Sequence, residues 1–582
     1  MILKALCDYY DRNVSKLPPA HLASVDFEYA IVLDLNGTFK RFEHLGDGNG
    51  LPLLTIRPEE RTSAPVAHCM GDNGSYVLGL KDVKLNKPTD YAAELKKNEK
   101  NHAAFKKKVD DLYAALPHNR YVKAVYSFYQ NYGVSQIERM IIEPEWPELC
   151  KVLHKNITFL IDGEYKRAVE DEEIIRYCID RLEHSGKKAV CLITGNTGFP
   201  VSTTYSTFVA GGKSNAKLVA FQINSGYDSY GKQKGYNAPI SEEAEFKYTT
   251  ALLEMLSKGS RNKFLISSRT FLFWASKNDE VSIKVENNFL FLLGTNEQED
   301  APNKNIEQVR KVFMSIYTGE LKTTSEDTFY ILGLAPNIAR IAVTYWAEIP
   351  LRKFAGTICK HFDDMEVVDT RTEKKPYMSL RSILSAVTLG GKSSDATPNL
   401  PDAIVKSIFQ GLPYPQVLYA SCIRRIRSES GIKDKNAVHI ARAAIIKGYL
   451  NRLNDNHKPI QPMLDKENTN QGYLCGRLFA VLDKIQEEAN NQHSIRERYM
   501  NSASSTPAAV FSTILNLSNH HAEKLNEGRR IYFEKLVQEI ICKIEADGFR
   551  SQLDLQDQGR FFIGFYHQRQ DFFTKNEENN NK

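Results

Sequence analysis

The chain of 582 residues is too long for one core, so two to four domains are expected. Hydrophobic residues at 42% and charged residues at 25% are ordinary globular values and exclude wholesale disorder. The formal charge of +5 is too small to mark a nucleic-acid binder by itself, but it is unevenly spread: residues 463–582 hold 15 Lys+Arg against 17 Asp+Glu, leaving +7 for residues 1–462.

Nine cysteines, at 7, 69, 150, 178, 191, 359, 422, 475 and 542, are odd in number and form no C-x-x-C pair. That usage fits reduced thiols better than a disulfide framework or a zinc site. The N-terminus turns polar within a few residues, and no run approaches 18 apolar residues, so a soluble, cytoplasmic protein without a membrane span is expected.

Up to about residue 350 the pattern mixes strands and helices. Tyr29–Leu35 and Thr38–Leu45 flank Asn36-Gly37, the strongest short-range hairpin signal, and Asp162-Gly163 repeats it between ITFLI and EYKRAV. The apolar runs 190–194 and 217–223 read as buried strands on either side of a glycine-rich loop. Ser241–Leu256 begins with a capping-type Ser-Glu-Glu-Ala and shows helical spacing at Phe246, Leu253 and Leu256. Phe329–Gly333 and Ile338–Tyr345 read as a strand pair. Beyond Pro350 the chain turns helical, with a linker-like break at 390–401, basic helices at Gln416–Arg427 and Ala437–Arg452, and a C-terminal bundle from Gly472. Its core is expected from Leu474, Leu478, Val481, Leu482 and Ile485, then Leu515, Leu517, Leu536, Ile540 and Ile544. The fold class is therefore α+β: an N-terminal mixed α/β region (1–350), a basic helical connection (351–462) and a C-terminal α-helical bundle (463–582).

Several loops suggest nucleic-acid contact. Gly211-Gly212-Lys213-Ser214-Asn215 ends like a P-loop, but Thr207 stands where that motif needs its first glycine. What remains is a turn able to press backbone amides and Lys213 against a phosphate backbone or groove edge, or an ordinary hairpin turn. In the loop 228–239, Tyr230 and Tyr236 can stack on bases while Lys232 and Lys234 neutralise phosphates. Asn73 carries donor and acceptor for a base edge, and serves equally as a turn residue before Gly74. Two basic runs stand out: Lys96, Lys97, Lys100 and Lys106–Lys108, then Arg424, Arg425, Arg427, Lys433, Lys435, Arg442, Lys447 and Arg452. The second interleaves with Ile423, Ile426, Ile440 and Ile445, as expected of helices with one packed side and one side tracking phosphates. A metal-dependent nuclease would have to use Asp363, Asp364 and Asp369, which have no basic or His catalytic partner near in sequence. No cofactor or metal is expected.

The blocks MILKALCDYYDR, IVLDLNGTFKRFEHL, RTSAPVAHCMGDNGSYVLGL, SYGKQKGYNAPISEEAEFKYTTALLEML, SIRERYMNSASSTPAAVFSTILNLSNHH and DQGRFFIGFYHQRQDFFTK resemble, in order, the large subunit of type I-C CRISPR Cascade complexes (the Csd-type family). The resemblance implies a non-enzymatic DNA reader beside backbone subunits that hold CRISPR RNA. Such a subunit inspects the protospacer-adjacent motif in double-stranded DNA, helps open the duplex, holds the displaced strand and recruits a separate helicase-nuclease. Motif reading is expected at Asn73 and Gly211–Asn215, with Lys232 and Asn237 in support and Arg424, Arg425 and Arg427 as further DNA contacts. The family's internal translation start implies a small subunit beginning at Met463, 120 residues long. The alternatives are the nuclease above and a scaffold that reads no DNA motif.

Overall fold

Tyr29–Leu33 is buried at every residue, as a strand covered on both faces must be. It is one of two inner strands of a four-stranded sheet in a computed structural model that describes all residues except 48–49, 62–63, 81–90, 143–148, 150–151, 183–186, 224–227, 294–301, 325, 372–378, 433–435, 454–457, 491–493 and 575–582. The order is Phe39–His44, Tyr29–Leu33, Asn156–Ile161, Gly71–Asn73, with only the middle pair parallel. The Asn36-Gly37 hairpin forms as expected. The Asp34 carboxylate accepts from the amides of Asn36 (3.0 Å) and Thr38 (2.9 Å), and Gly37 takes φ +76°. Any side chain at Gly37 would also strike the helix Arg120–Asn131, whose Ala124 carbonyl oxygen lies 2.6 Å from where a Cβ would sit. Phe105, Phe128, Tyr129 and Phe159 close the core between sheet and helices.

The chain forms two units: Met1–Phe208 with Ser214–Glu254, and Val209–Lys213 with Met255–Lys582. The second unit is built on an antiparallel sheet ordered Arg340–Pro350, Thr328–Asn337, Arg269–Ala275, Lys263–Ile266. Its Phe273 and Phe329 pack on Phe289 and Phe354 of the helices Glu280–Leu293 and Leu351–Met365. One core then continues from Phe264 in the sheet to Tyr566 in the final helix, so residues 351–462 and 463–582 share it.

Four expectations need correction. Asp162-Gly163 turns the chain, but only the Leu160–Arg167 bridge follows it, because the chain enters a 3-10 turn at Ala168–Glu170. Only Val190 of the first apolar run is strand, in the two-residue strand Ala189–Val190, and residues 217–223 are irregular and partly exposed rather than buried. The third hairpin turns at Ile338, with strands longer than expected, Thr328–Asn337 and Arg340–Pro350. In Glu242–Leu256 the buried stripe is Ala244, Tyr248, Ala251, Leu252 and Met255, not Leu253 and Leu256. Ser241 does cap this helix, its Oγ accepting from the Ala244 amide at 3.3 Å.

The bundle is organised around Gln471–Asn490, whose expected apolar stripe is buried along with most of its other faces. Leu555–Asp571 lies against it, with Pro507–Ala522 and Glu527–Ile541 outside. The core of those outer helices is Phe511, Ile514, Phe533 and Ile540; Leu515, Leu517, Leu536 and Ile544 are only half-buried. Between the two inner helices, Tyr473 Oη meets His567 Nδ1 at 3.0 Å. Burial pushes the His567 pKa down to about 3, with the Lys447 charge adding to it.

Acid should therefore loosen this packing. The unfolded chain takes up the proton near pH 6.5 and the folded chain only near 3, so the stability His567 confers is complete above about 6.5 and falls as pH drops toward 3. By pH 4 the loss is about 3 kcal/mol. Urea midpoints at pH 7 and 4 should differ by less in His567→Asn, whose amide keeps a partner for Tyr473. An unchanged acid shift in that variant would refute the assignment.

Candidate nucleic-acid interface

Asn73 ends the edge strand Gly71–Asn73 and opens the short helix Gly74–Val77. Its Oδ1 accepts from the Ser75 amide (3.1 Å) and hydroxyl (2.8 Å), and Asn101 Nδ2 reaches the same hydroxyl at 3.2 Å. The turn role is therefore built, the side-chain carbonyl capping the helix, and the residue also lines an open cleft. Behind it, the buried Asp72 carboxylate accepts from the amides of His68 (2.9 Å) and Asn73 (2.8 Å) and pairs with the Arg61 guanidinium. Arg61 lies over the Tyr76 ring at 4.1 Å. These contacts fix the Asn73 backbone before any ligand arrives.

The cleft encloses about 660 Å³ and is walled by Arg61, Asn73, Lys96, Lys97, Lys100 and Asn101 among others. Four cations and no carboxylate line it among the described residues. The lysines stand on Tyr91–Ala115 at positions i, i+1 and i+4, one helical face, while Asn98, Asn101, His102 and Phe105 turn inward. A side-chain amide beside a lysine wall combines donor and acceptor groups with positive charge in one cleft. Lys106 and Lys108 lie elsewhere, over the Tyr129 ring and beside Glu59 respectively, and Lys107 is exposed. Arg61 is the residue that sequence reasoning missed: nothing in the spacing of Arg61 and Asp72 announces their pairing.

The loop Gly211–Asn215 is a surface turn. Gly211 takes φ +78°, and Lys213, Ser214 and Asn215 are exposed. Residues 209–213 belong to the second unit, with Gly212 bonded to the Val209 carbonyl at 2.9 Å and beside Pro336. In the first unit, Glu60 accepts from the Ser206 amide (2.6 Å) and from Lys217 Nζ (2.9 Å).

In the loop 228–237, Asn237 is a brace. Its Oδ1 accepts from the Ser229 amide (3.1 Å), and its Nδ2 donates to Asp228 Oδ1 (3.3 Å) and the carbonyls of Lys232 (3.0 Å) and Lys234 (3.3 Å). The braced tip presents Lys232 and Tyr230, the latter 98% exposed and held at φ +51°, a conformation a non-glycine residue adopts only under local constraint. Tyr236 is half-buried, so Tyr230 is the ring offered outward.

The second basic run is largely internal. Arg442 donates to Glu429 (2.8 Å) and to the carbonyls of Ala437 and Ala386. Lys447 holds the carbonyls of Asp363 (2.8 Å) and Asp364 (3.1 Å). Arg452 joins Asp364 Oδ2 (2.6 Å) to the Leu412 carbonyl (2.6 Å). The expected phosphate-tracking face is therefore not built from Arg442, Lys447 and Arg452, whose charges answer interior oxygens. Arg424 is exposed, Arg425 pairs with Glu429, and Arg427 is half-buried; Lys433, Asp434 and Lys435 lie outside the described residues. The three aspartates of the nuclease alternative, and Glu366 beside them, are held by arginines: Asp363 and Glu366 by Arg310 (3.0 and 3.4 Å), Asp364 by Arg452, and Asp369 by Arg371 (2.8 Å).

This is an α+β protein whose first unit carries a lysine-walled polar cleft suited to a polyanion. The family model for CRISPR-associated protein (Cas_Csd1) matches residues 6–573, and the chain belongs to that family. It is thus a CRISPR-associated protein and a subunit of a Cascade-type complex. No curated protein matches the chain. Among the described residues, no helix is long and apolar enough to cross a membrane.

Proposed function

We propose that this protein is the large, non-catalytic subunit of a type I-C RNA-guided surveillance complex, and that it reads the protospacer-adjacent motif of double-stranded DNA with Asn73 in the lysine-walled cleft. The observation that carries this reading is the juxtaposition of a base-edge reader, fixed by Asp72 and Ser75, with Lys96, Lys97 and Lys100. The lysines neutralise backbone phosphates, and Asn73 discriminates the base edge presented between them. Lys213 and the backbone of Gly211–Asn215 engage phosphate backbone. Tyr230, on a tip braced by Asn237, stacks where the first base pairs part, and Lys232 beside it contacts phosphate. Arg424, Arg425 and Arg427 are offered as secondary contacts to the displaced strand, Arg424 being the freest of them.

The partners that follow are the backbone subunits with their CRISPR RNA, the target duplex and a separate helicase-nuclease. A small subunit initiated at Met463, which is exposed ahead of the Gln471–Asn490 helix, completes the set. The nuclease alternative loses support because each carboxylate it needs already engages an arginine.

Duplex binding by the guide-loaded complex, with and without this subunit, across a library of flanking trinucleotides tests the reading. Binding confined to a narrow flanking set and dependent on the subunit is expected. Asn73→Ala should shrink the preference for that set about tenfold or more while leaving other flanks unchanged. Equal binding to all flanks would leave the scaffold alternative, and a uniform loss in Asn73→Ala would remove Asn73 as the reader.

A further inference from the structure

The first unit has another concavity, about 740 Å³, whose wall includes His68, Cys69, Lys108, Cys178 and Arg181. Cys69 lies just ahead of the edge strand Gly71–Asn73, and Cys178 lies in the last turn of the helix Glu172–Asp180. Their sulfurs are 3.2 Å apart although the residues are 109 apart in the chain. A disulfide needs about 2.05 Å, a closure of about 1.2 Å that rotation of two side chains supplies. Cys69 is buried and Cys178 half-exposed in the cavity wall, so an incoming reagent meets Cys178 first. The hydrogen bond between the two sulfurs, in which either thiol can donate, lowers the Cys178 pKa and raises that of Cys69. Among the described residues, no third His, Cys, Asp or Glu completes a metal set with the pair.

We propose that Cys69 and Cys178 form a reversible disulfide by exchange with a small-molecule disulfide admitted to this cavity, pinning the segment that carries Asn73. The Cys178 thiolate attacks one sulfur of the reagent. That S–S bond breaks, and a first small thiolate leaves and takes up the proton Cys178 lost. Cys69 then gives up its proton and attacks Cys178 Sγ, and the second small thiol departs with that proton. Two protein thiols are oxidised, and one small disulfide is reduced to two thiols. The wall carries charges of both signs, Lys108 paired with Glu59 and Arg181 accompanied by Asp111, so access rather than charge selects the reagent. The segment is already tied beyond Asn73, where the Gly74 amide donates to the Leu153 carbonyl (2.7 Å). A covalent tie at residue 69 therefore restricts a short stretch held at both ends. This inference concerns the bond itself and does not depend on what Asn73 reads.

The test is to incubate the full-length protein with glutathione disulfide, block remaining thiols and map peptides without reduction. The expected product is a cross-linked pair containing Cys69 and Cys178, two hydrogens lighter than the free peptides and cleaved by dithiothreitol. Amide exchange over residues 69–77 should slow about tenfold or more in the oxidised form. Cys69→Ser should trap glutathione on Cys178, and Cys178→Ser should leave Cys69 unreacted. Recovery of both cysteines as blocked thiols in the wild type, or of glutathione retained on Cys178 with no cross-linked peptide, would overturn the proposal.

Discussion

Replacing Lys96, Lys97 and Lys100 together by glutamate is expected to weaken duplex binding by the assembled complex at least about a hundredfold at 0.1–0.15 M salt. The three ammonium groups share one helical face and one cleft, and no carboxylate lines that cleft among the described residues to neutralise them. Each lysine that displaces a condensed counterion contributes about 0.9 to the slope of log affinity against log salt, so the slope should also fall by about 2 to 3. The loss should be similar for every flanking sequence, because phosphate contacts carry no base information. That separates it from Asn73→Ala, which should alter discrimination. All three side chains are exposed, so the circular dichroism spectrum should not change. An unaltered salt slope would take the cleft out of DNA binding altogether.

The second large effect is structural. Gly476→Val should destabilise the second unit by about 4 kcal/mol or more, read as a fall in its urea midpoint. The backbones of Gln471–Asn490 and Leu555–Asp571 touch at this point: a Cβ on Gly476 would overlap the Phe561 carbonyl oxygen and approach the Phe565 amide nitrogen to 2.9 Å. Neither atom belongs to a flexible side chain, so no rotamer change relieves the clash and the helices must separate. Gly564 repeats the arrangement from the other helix, against the Tyr473 carbonyl. Separation would also strip Tyr473 from His567. Wild-type stability in Gly476→Val would mean that the two helices do not meet this closely.

Features governed by local physics were legible in the sequence. Asn36-Gly37 announces its turn because few residue pairs tolerate that backbone, and the helices beyond Pro350 announce themselves by period. The apolar runs 190–194 and 217–223 misled because a strand needs a neighbour to pair with, which composition cannot reveal; residues 217–223 find no sheet. Core positions in Pro507–Ala522 slipped by one residue, from Leu515 to Ile514, because several apolar residues compete for one face. The site was half legible. Asn73 and the first lysine run were each visible, but their meeting in one cleft depends on how Tyr91–Ala115 packs, and the Arg61–Asp72 pair on the fold around them. The second basic run misled most, since a sequence cannot say whether a cation faces water or the carbonyl end of a helix.

That last point bears on how variants of this protein should be scored. Arg442, Lys447 and Arg452 are buried cations whose partners are main-chain carbonyls and the carboxylates of Glu429 and Asp364. Truncating any of them strands interior acceptors, at a cost of several kcal/mol. In a screen for immunity such a variant looks the same as one that has lost its grip on DNA, and it sits in the stretch richest in positive charge. A functional map of this chain thus sorts correctly only when each loss is set beside the amount of folded protein that remains.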